Sequence, residues 1–187
     1  MEFVSERVSI ERKGEQLSVV ISPRLSRMQE ALLVAWNLAW LVCGVVILVE
    51  WFRMPAGSQR SFVIAFMAFW LWFAFRIGRV MLWRLKGFEL LRLKDGMFTI
   101  KDSILGYGRA NDYFLENIQR FGTLSIDESS WTWQLNDSFW VMGAERLGSE
   151  HLGRKVVFGK GLTRDEAHRL MTTIEGALRK ARRQAPQ

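Results

Sequence analysis

The pattern of apolar and polar positions changes character three times along the chain. Val4, Val8 and Ile10, then Leu17, Val19 and Ile21, alternate with more polar neighbours on either side of Lys13, Gly14 and Glu15. This predicts a strand–turn–strand unit within an N-terminal segment, residues 1–30, stopping at Pro23. A lone hairpin is marginal in water, so it is expected to lean on a larger neighbour. Residues 31–49 then read ALLVAWNLAWLVCGVVILV, with Asn37 the strongly polar exception. Residues 62–75 read FVIAFMAFWLWFAF and continue through Ile77, Gly78, Val80, Met81, Leu82 and Trp83, interrupted by Arg76 and Arg79. Both runs are apolar on every face and long enough to cross a hydrocarbon core of about 30 Å at about 1.5 Å per residue. Pro55 and Gly57 break the helix between them, so residues 31–83 are expected to form a two-helix transmembrane hairpin with both termini on one side.

Residues 84–187 return to strand-like alternation. Residues 88–93 and 97–101 flank Asp95-Gly96, a strong hairpin signal. Residues 104–113 follow, with Gly106 and Gly108 marking a bend, and then residues 118–126. Residues 131–133 and 139–142 flank Asn136-Asp137 as two further strands, and residues 155–158 form a last one. The period then changes. Thr163 and Glu166 form a capping box, and Ala167, Leu170, Met171, Ile174 and Leu178 recur on one helical face. The predicted fold is a membrane α-helical hairpin plus an α+β domain: a small PH-like β-barrel or sandwich, capped by a C-terminal α-helix.

Inside the hairpin, Ala31, Ala35, Ala39 and Cys43 form a narrow stripe of small residues, and Phe66, Phe69, Trp70 and Phe73 a bulky one. Small residues permit close approach, so these stripes are expected either to pack the hairpin on itself or to dock another membrane protein. Asn37 is the candidate intramembrane contact, donating across that seam or to a partner helix.

Composition agrees with two unlike parts. The 187 residues include 9 Trp and 13 Phe, yet carry a net charge of +7 and a mean hydropathy of only +0.02. The aromatic content excludes disorder, and a single cysteine excludes a disulfide scaffold. The first apolar run begins only after Glu2, Glu6, Glu11, Glu15 and Glu30, unlike a signal peptide, and is expected to be retained as an anchor. Arg24, Arg27, Arg76, Arg79, Arg84 and Lys86 flank the membrane ends on the terminal side, against Arg53 and Arg60 in the loop. The excess places both termini in the cytoplasm of an inner-membrane protein. Those six residues are the candidate contacts to anionic lipid headgroups. The tail at Arg179, Lys180, Arg182 and Arg183 lacks interleaved aromatics, so nucleic acid is not an expected partner.

Candidate chemistry is sparse. His151 falls in a predicted loop, and His168 stands beside Asp165 on the closing helix without further ligands at metal spacing. Residues 106–111, GYGRAN, are not a dinucleotide fingerprint, because Asn111 takes the place of the last glycine and no helix follows. Gly159, Lys160 and Gly161 precede a helix start, but Asp165 and Glu166 oppose an anion there. No catalytic, metal or cofactor residues are assigned, and the protein is read as a non-enzyme. Trp131, Trp133, Phe139 and Trp140 are the candidate partner patch if exposed, and core if buried.

The segments LKGFEL at 85–90, GYGRANDY at 106–113 and FGKGLTRDEA at 158–167 resemble a family of uncharacterised bacterial membrane proteins. That family has two N-terminal transmembrane helices and a PH-like cytosolic domain. The resemblance runs from Leu17 to Ile174 and lapses between Gly122 and Gly153, where Trp131, Trp133 and Trp140 leave the pattern. It implies the layout above and brings no activity with it. The expected function is that of an adaptor or assembly factor presenting its domain to a protein partner at the cytoplasmic face. The alternative is an accessory subunit of a membrane enzyme or transport complex.

Overall fold

The computed structural model describes every residue except Met1, Glu15, Arg24 and residues 185–187. The two apolar runs are helices, α1 (Arg27–Arg53) and α2 (Ser58–Lys86), each long and apolar enough to cross a membrane. Ser26 opens α1 with a capping box: its hydroxyl accepts from the Gln29 N–H (3.3 Å), and its own N–H donates to Gln29 Oε1 (3.1 Å). Two otherwise unsatisfied donors are thereby paired. The helices meet where Trp70 lies against Gly44, and a Cβ at Gly44 would collide with the indole. Trp40 stacks on Trp70 with ring centroids 6.2 Å apart. The seam on α1 is thus the row Leu33, Asn37, Trp40 and Gly44. Ala31, Ala35, Ala39 and Cys43 are exposed, so the expected small-residue stripe is not the seam. One glycine admits an indole that an alanine row would hold off.

Strands β1 (Glu2–Phe3), β2 (Val8–Lys13), β3 (Gln16–Ile21), β4 (Gly87–Lys94), β5 (Met97–Ile104) and β6 (Ala110–Phe114) lie in sequential order in one antiparallel sheet. The helical hairpin is therefore an insertion between two paired strands, with Leu17 opposite Leu93 and Ile21 opposite Glu89. The N-terminal segment and the segment after the hairpin share this sheet. A short 3-10 turn at Leu115–Asn117 carries the chain into a second antiparallel sheet of β7 (Ile118–Thr123), β8 (Glu145–His151) and β9 (Arg154–Lys160). A further helix, α3 (Trp131–Asp137), lies between β7 and β8. The two sheets stay separate, so the expected barrel is not closed.

Alternation builds the core. Val8, Ile10, Leu17, Val19, Ile21, Leu91 and Leu93 project inward from the first sheet, and Leu147 and Phe158 from the second. Phe98 and Phe158 meet edge-on at 5.6 Å. The last helix, α4 (Arg164–Gln184), closes this core with Ala167, Leu170, Ile174 and Leu178. Its capping box is present: Thr163 N–H donates to Glu166 Oε2 (2.9 Å), and Glu166 N–H donates to Thr163 Oγ1 (3.3 Å).

Two expectations are corrected. Residues 131–133 belong to α3, not to a strand, and residues 139–142 pair with no strand: the Val141 and Met142 carbonyls accept from side chains of α2 instead. Strand β8 was hidden by its polar sequence, ERLGSEH. Its burial depends on tertiary partners: Arg146 ion-pairs with Glu128, and Gly148 leaves room for the Leu124 side chain. His151, expected in a loop, is its last residue.

Because α1 follows β3 and α2 runs directly into β4, both helices leave from one end of the sheet, the near end. The turns at Gly14 and at Asp95-Gly96 lie at the opposite, far end, where they border a cleft of about 640 Å³ with the second half of α4.

Candidate functional site at the helix–domain joint

No linker separates α2 from the domain: Lys86 ends the helix and Gly87 begins β4. A Cβ at Gly87 would fall 2.5 Å from the Trp83 carbonyl oxygen, so this sharp exit requires glycine. Trp83 is buried, and its indole N–H donates to the Met142 carbonyl (2.9 Å). Arg84 is only 6% exposed. Its Nε donates to the Val141 carbonyl (2.8 Å) and its Nη2 to the Ser138 carbonyl (2.9 Å). Arg7 reaches the same junction, donating from Nη1 to the Gly161 carbonyl (3.1 Å). The last turn of α2 is thus pegged into the loop that follows α3.

Beside it sits a charged cluster around one buried carboxylate, with Lys160 half-buried and the Asp102 side chain partly open to solvent. Glu89 is 1% exposed, and its Oε2 accepts from the backbone N–H groups of Gly159 (2.9 Å) and Lys160 (3.0 Å). The Lys160 ammonium pairs with Asp102 and lies 5.4 Å from the Trp83 ring centroid. Asp102 is the cross-strand neighbour of Glu89, and one oxygen of each carboxylate, Glu89 Oε1 and Asp102 Oδ1, has no hydrogen-bond partner among the described residues. Burial pushes the Glu89 carboxyl up to about 7, the bonds and charge of Lys160 oppose the rise, and Asp102 adds to it. The Glu89 carboxyl can therefore hold or release a proton near neutral pH. Among the described residues no group of three or more His, Cys, Asp or Glu could hold a metal ion.

The residues singled out from sequence fall in different places. Arg27, Arg79 and Lys86 are exposed, and Arg76 is exposed with its guanidinium 5.3 Å over the Trp72 ring. Arg24 lies outside the described residues. Arg84 is corrected: a buried guanidinium spent on two carbonyls is not available to a headgroup. Asn37 is also corrected. Its Nδ2 donates to the Leu33 carbonyl of its own helix (2.8 Å), not across the seam. Trp131 and Trp140 are exposed, and Phe139 and Trp133 half-buried. Trp133 lies under the Arg146 guanidinium at 4.7 Å, Phe139 tilts against Trp140 at 4.4 Å, and Trp140 meets Trp36 of α1 edge-on at 5.9 Å. His168 is exposed on α4.

Glu89, Asp102 and Lys160 were not anticipated as a group. The signal for Glu89 was available: it has the same strand parity as Leu91 and Leu93, both core residues. Nothing local marks Asp102, whereas Lys160 lies in the Gly159–Gly161 turn noted from sequence, whose Gly159 and Lys160 N–H groups receive the Glu89 carboxylate of the chain itself. Compared with known proteins, the chain matches no family model, no curated protein and no solved structure.

Proposed function

We propose that this chain is a non-enzymatic integral protein of the cell inner membrane. It acts as an adaptor or assembly factor, with the helical hairpin as anchor, both termini cytoplasmic and the domain presented to a protein partner at the cytoplasmic face. The observation that carries this reading is the mounting of the domain. The hairpin is inserted between paired strands, and Trp83 and Arg84 peg the end of α2 into the domain. An anchor joined in this way holds a surface at a fixed height and orientation above a bilayer, which suits presentation better than tethering through a flexible linker. Antiparallel strands closed by one C-terminal amphipathic helix support a PH-like layout. The exposed Arg27, Arg76, Arg79 and Lys86 support contact with anionic headgroups on the domain's side. Affinity purification from native membranes in mild detergent tests the adaptor role. A reproducible stoichiometric partner is expected, and repeated recovery of the chain alone at native levels contradicts it.

A further inference from the structure

The connection from β7 to β8 carries aromatic rings out to the near end. In α3 and the loop behind it, Trp131 is 71% exposed, Leu135 53% and Trp140 42%. Across residues 129–140 the sole charged side chain is Asp137. This surface is continuous with the hairpin. Trp140 meets Trp36, nine residues into α1 and itself exposed, and the adjoining carbonyls are held by Trp83 and Arg84. At about 1.5 Å per residue, α1 is about 40 Å long and Trp36 stands about 14 Å from its start. A bilayer with its headgroups is about 40–45 Å thick around a core of about 30 Å, so a ring at the height of Trp36 has reached the headgroup–acyl boundary. A second projection stands beside the same exit. The turn between β5 and β6 is tied to the end of α2 by a Leu105 N–H donated to the Lys86 carbonyl (3.4 Å), and it exposes Tyr107 at 86%.

We propose that α3 and the loop after it, with Tyr107 in the turn tied to Lys86, seat the domain in the near leaflet, with phospholipid at the headgroup–acyl boundary as the occupant. Amphipathic rings favour that layer, having an apolar body and a polar edge that stays wet. With so little charge in the segment, seating depends on apolar burial and not on anionic headgroups. The inference rests on the reading of the hairpin as membrane-spanning.

The test uses the full chain with Cys43→Ser, carrying one nitroxide at a time at Trp131→Cys, Leu135→Cys, Val42→Cys in α1 or Leu152→Cys at the far end. All four positions are exposed, so the labels do not disturb the core. In phosphatidylcholine vesicles, labels at 131 and 135 are expected to collide with a water-soluble nickel chelate several-fold less often than the label at 152. They are expected to favour oxygen, as at 42, with no change on adding phosphatidylglycerol or salt. Nickel access at 131 and 135 equal to that at 152, with 42 protected, overturns the seat and leaves the anchor standing. Nickel access at 42 overturns both. Shielding of 131 from nickel and oxygen together, with spin–spin broadening, assigns the surface to a second copy of the chain and also overturns the seat.

Discussion

Ile21, the last residue of β3, pairs with Glu89, the third residue of β4, although the whole helical hairpin lies between them in the chain. A fragment beginning at Phe88 therefore lacks three strands and exposes the inward side chains of Leu91 and Leu93, together with an unpaired β4 edge. That fragment is expected to aggregate. Replacing residues 24–81 by a Gly/Ser linker keeps β3 beside β4 and leaves Trp83 and Arg84 seated in the domain, and this product is expected to remain monomeric in mild detergent. Size-exclusion chromatography of the two proteins distinguishes them; equal behaviour contradicts the shared sheet.

Arg84 holds two loop carbonyls that have no strand partner. Arg84→Met strands the Val141 carbonyl and leaves the Ser138 carbonyl with only the Val141 N–H (3.3 Å), at a cost of about 1–3 kcal/mol. The expected result is a lower unfolding midpoint and faster proteolytic cleavage within residues 138–143. Arg84→Lys is expected to recover only part of the loss, because a single ammonium lacks the rigid fork that reaches two acceptors.

Gly44 and Trp70 form the hairpin seam, and a larger residue at Gly44 meets the indole directly. Gly44→Val is expected to destabilise the detergent-solubilised chain by about 1–3 kcal/mol. Adding Trp70→Ala should relieve the clash, so the double variant loses less than the sum of the single losses. Strict additivity by thermal unfolding places the seam elsewhere.

Glu89 makes stability depend on pH. Its carboxyl rises from an ordinary 4.5 to about 7 in the folded chain, chiefly through burial. Below 4.5 both folded and unfolded chains hold the proton. Between 4.5 and about 7 only the folded chain holds it, so this group's contribution to stability falls as pH rises through that window. Glu89→Gln should flatten this part of the profile, measured as unfolding midpoint against pH. An unchanged slope in the variant contradicts the assignment.

The hairpin was legible from sequence because its helices are apolar on all faces, a pattern that needs no tertiary context. Capping at Thr163 and Glu166 was legible for the same reason, being set by neighbours three residues apart. Strand β8 was not, because Arg146 and Ser149 are buried on the strength of packing by distant chain. Trp131-Thr132-Trp133 alternates like a strand yet opens α3, and in the loop behind it the Val141 and Met142 carbonyls accept from Arg84 and Trp83. A count of basic residues at a membrane end treats Arg84 like Arg79, since the loop that buries Arg84 lies more than fifty residues away. The aromatic richness of residues 131–140 was legible by composition, and the place of those rings at the near end was not.

Rigid mounting of the domain on the hairpin is tested most directly by a pulsed electron-paramagnetic-resonance distance measurement. The full chain carries Cys43→Ser and nitroxides at Ser58→Cys, at the hairpin apex, and at Leu152→Cys, at the far end, in lipid nanodiscs. A single narrow distance distribution is expected, broadening when Arg84→Met is added. A broad distribution in the chain with Arg84 intact would mean that the domain swings freely on its anchor, contrary to the pegging of α2 by Trp83 and Arg84.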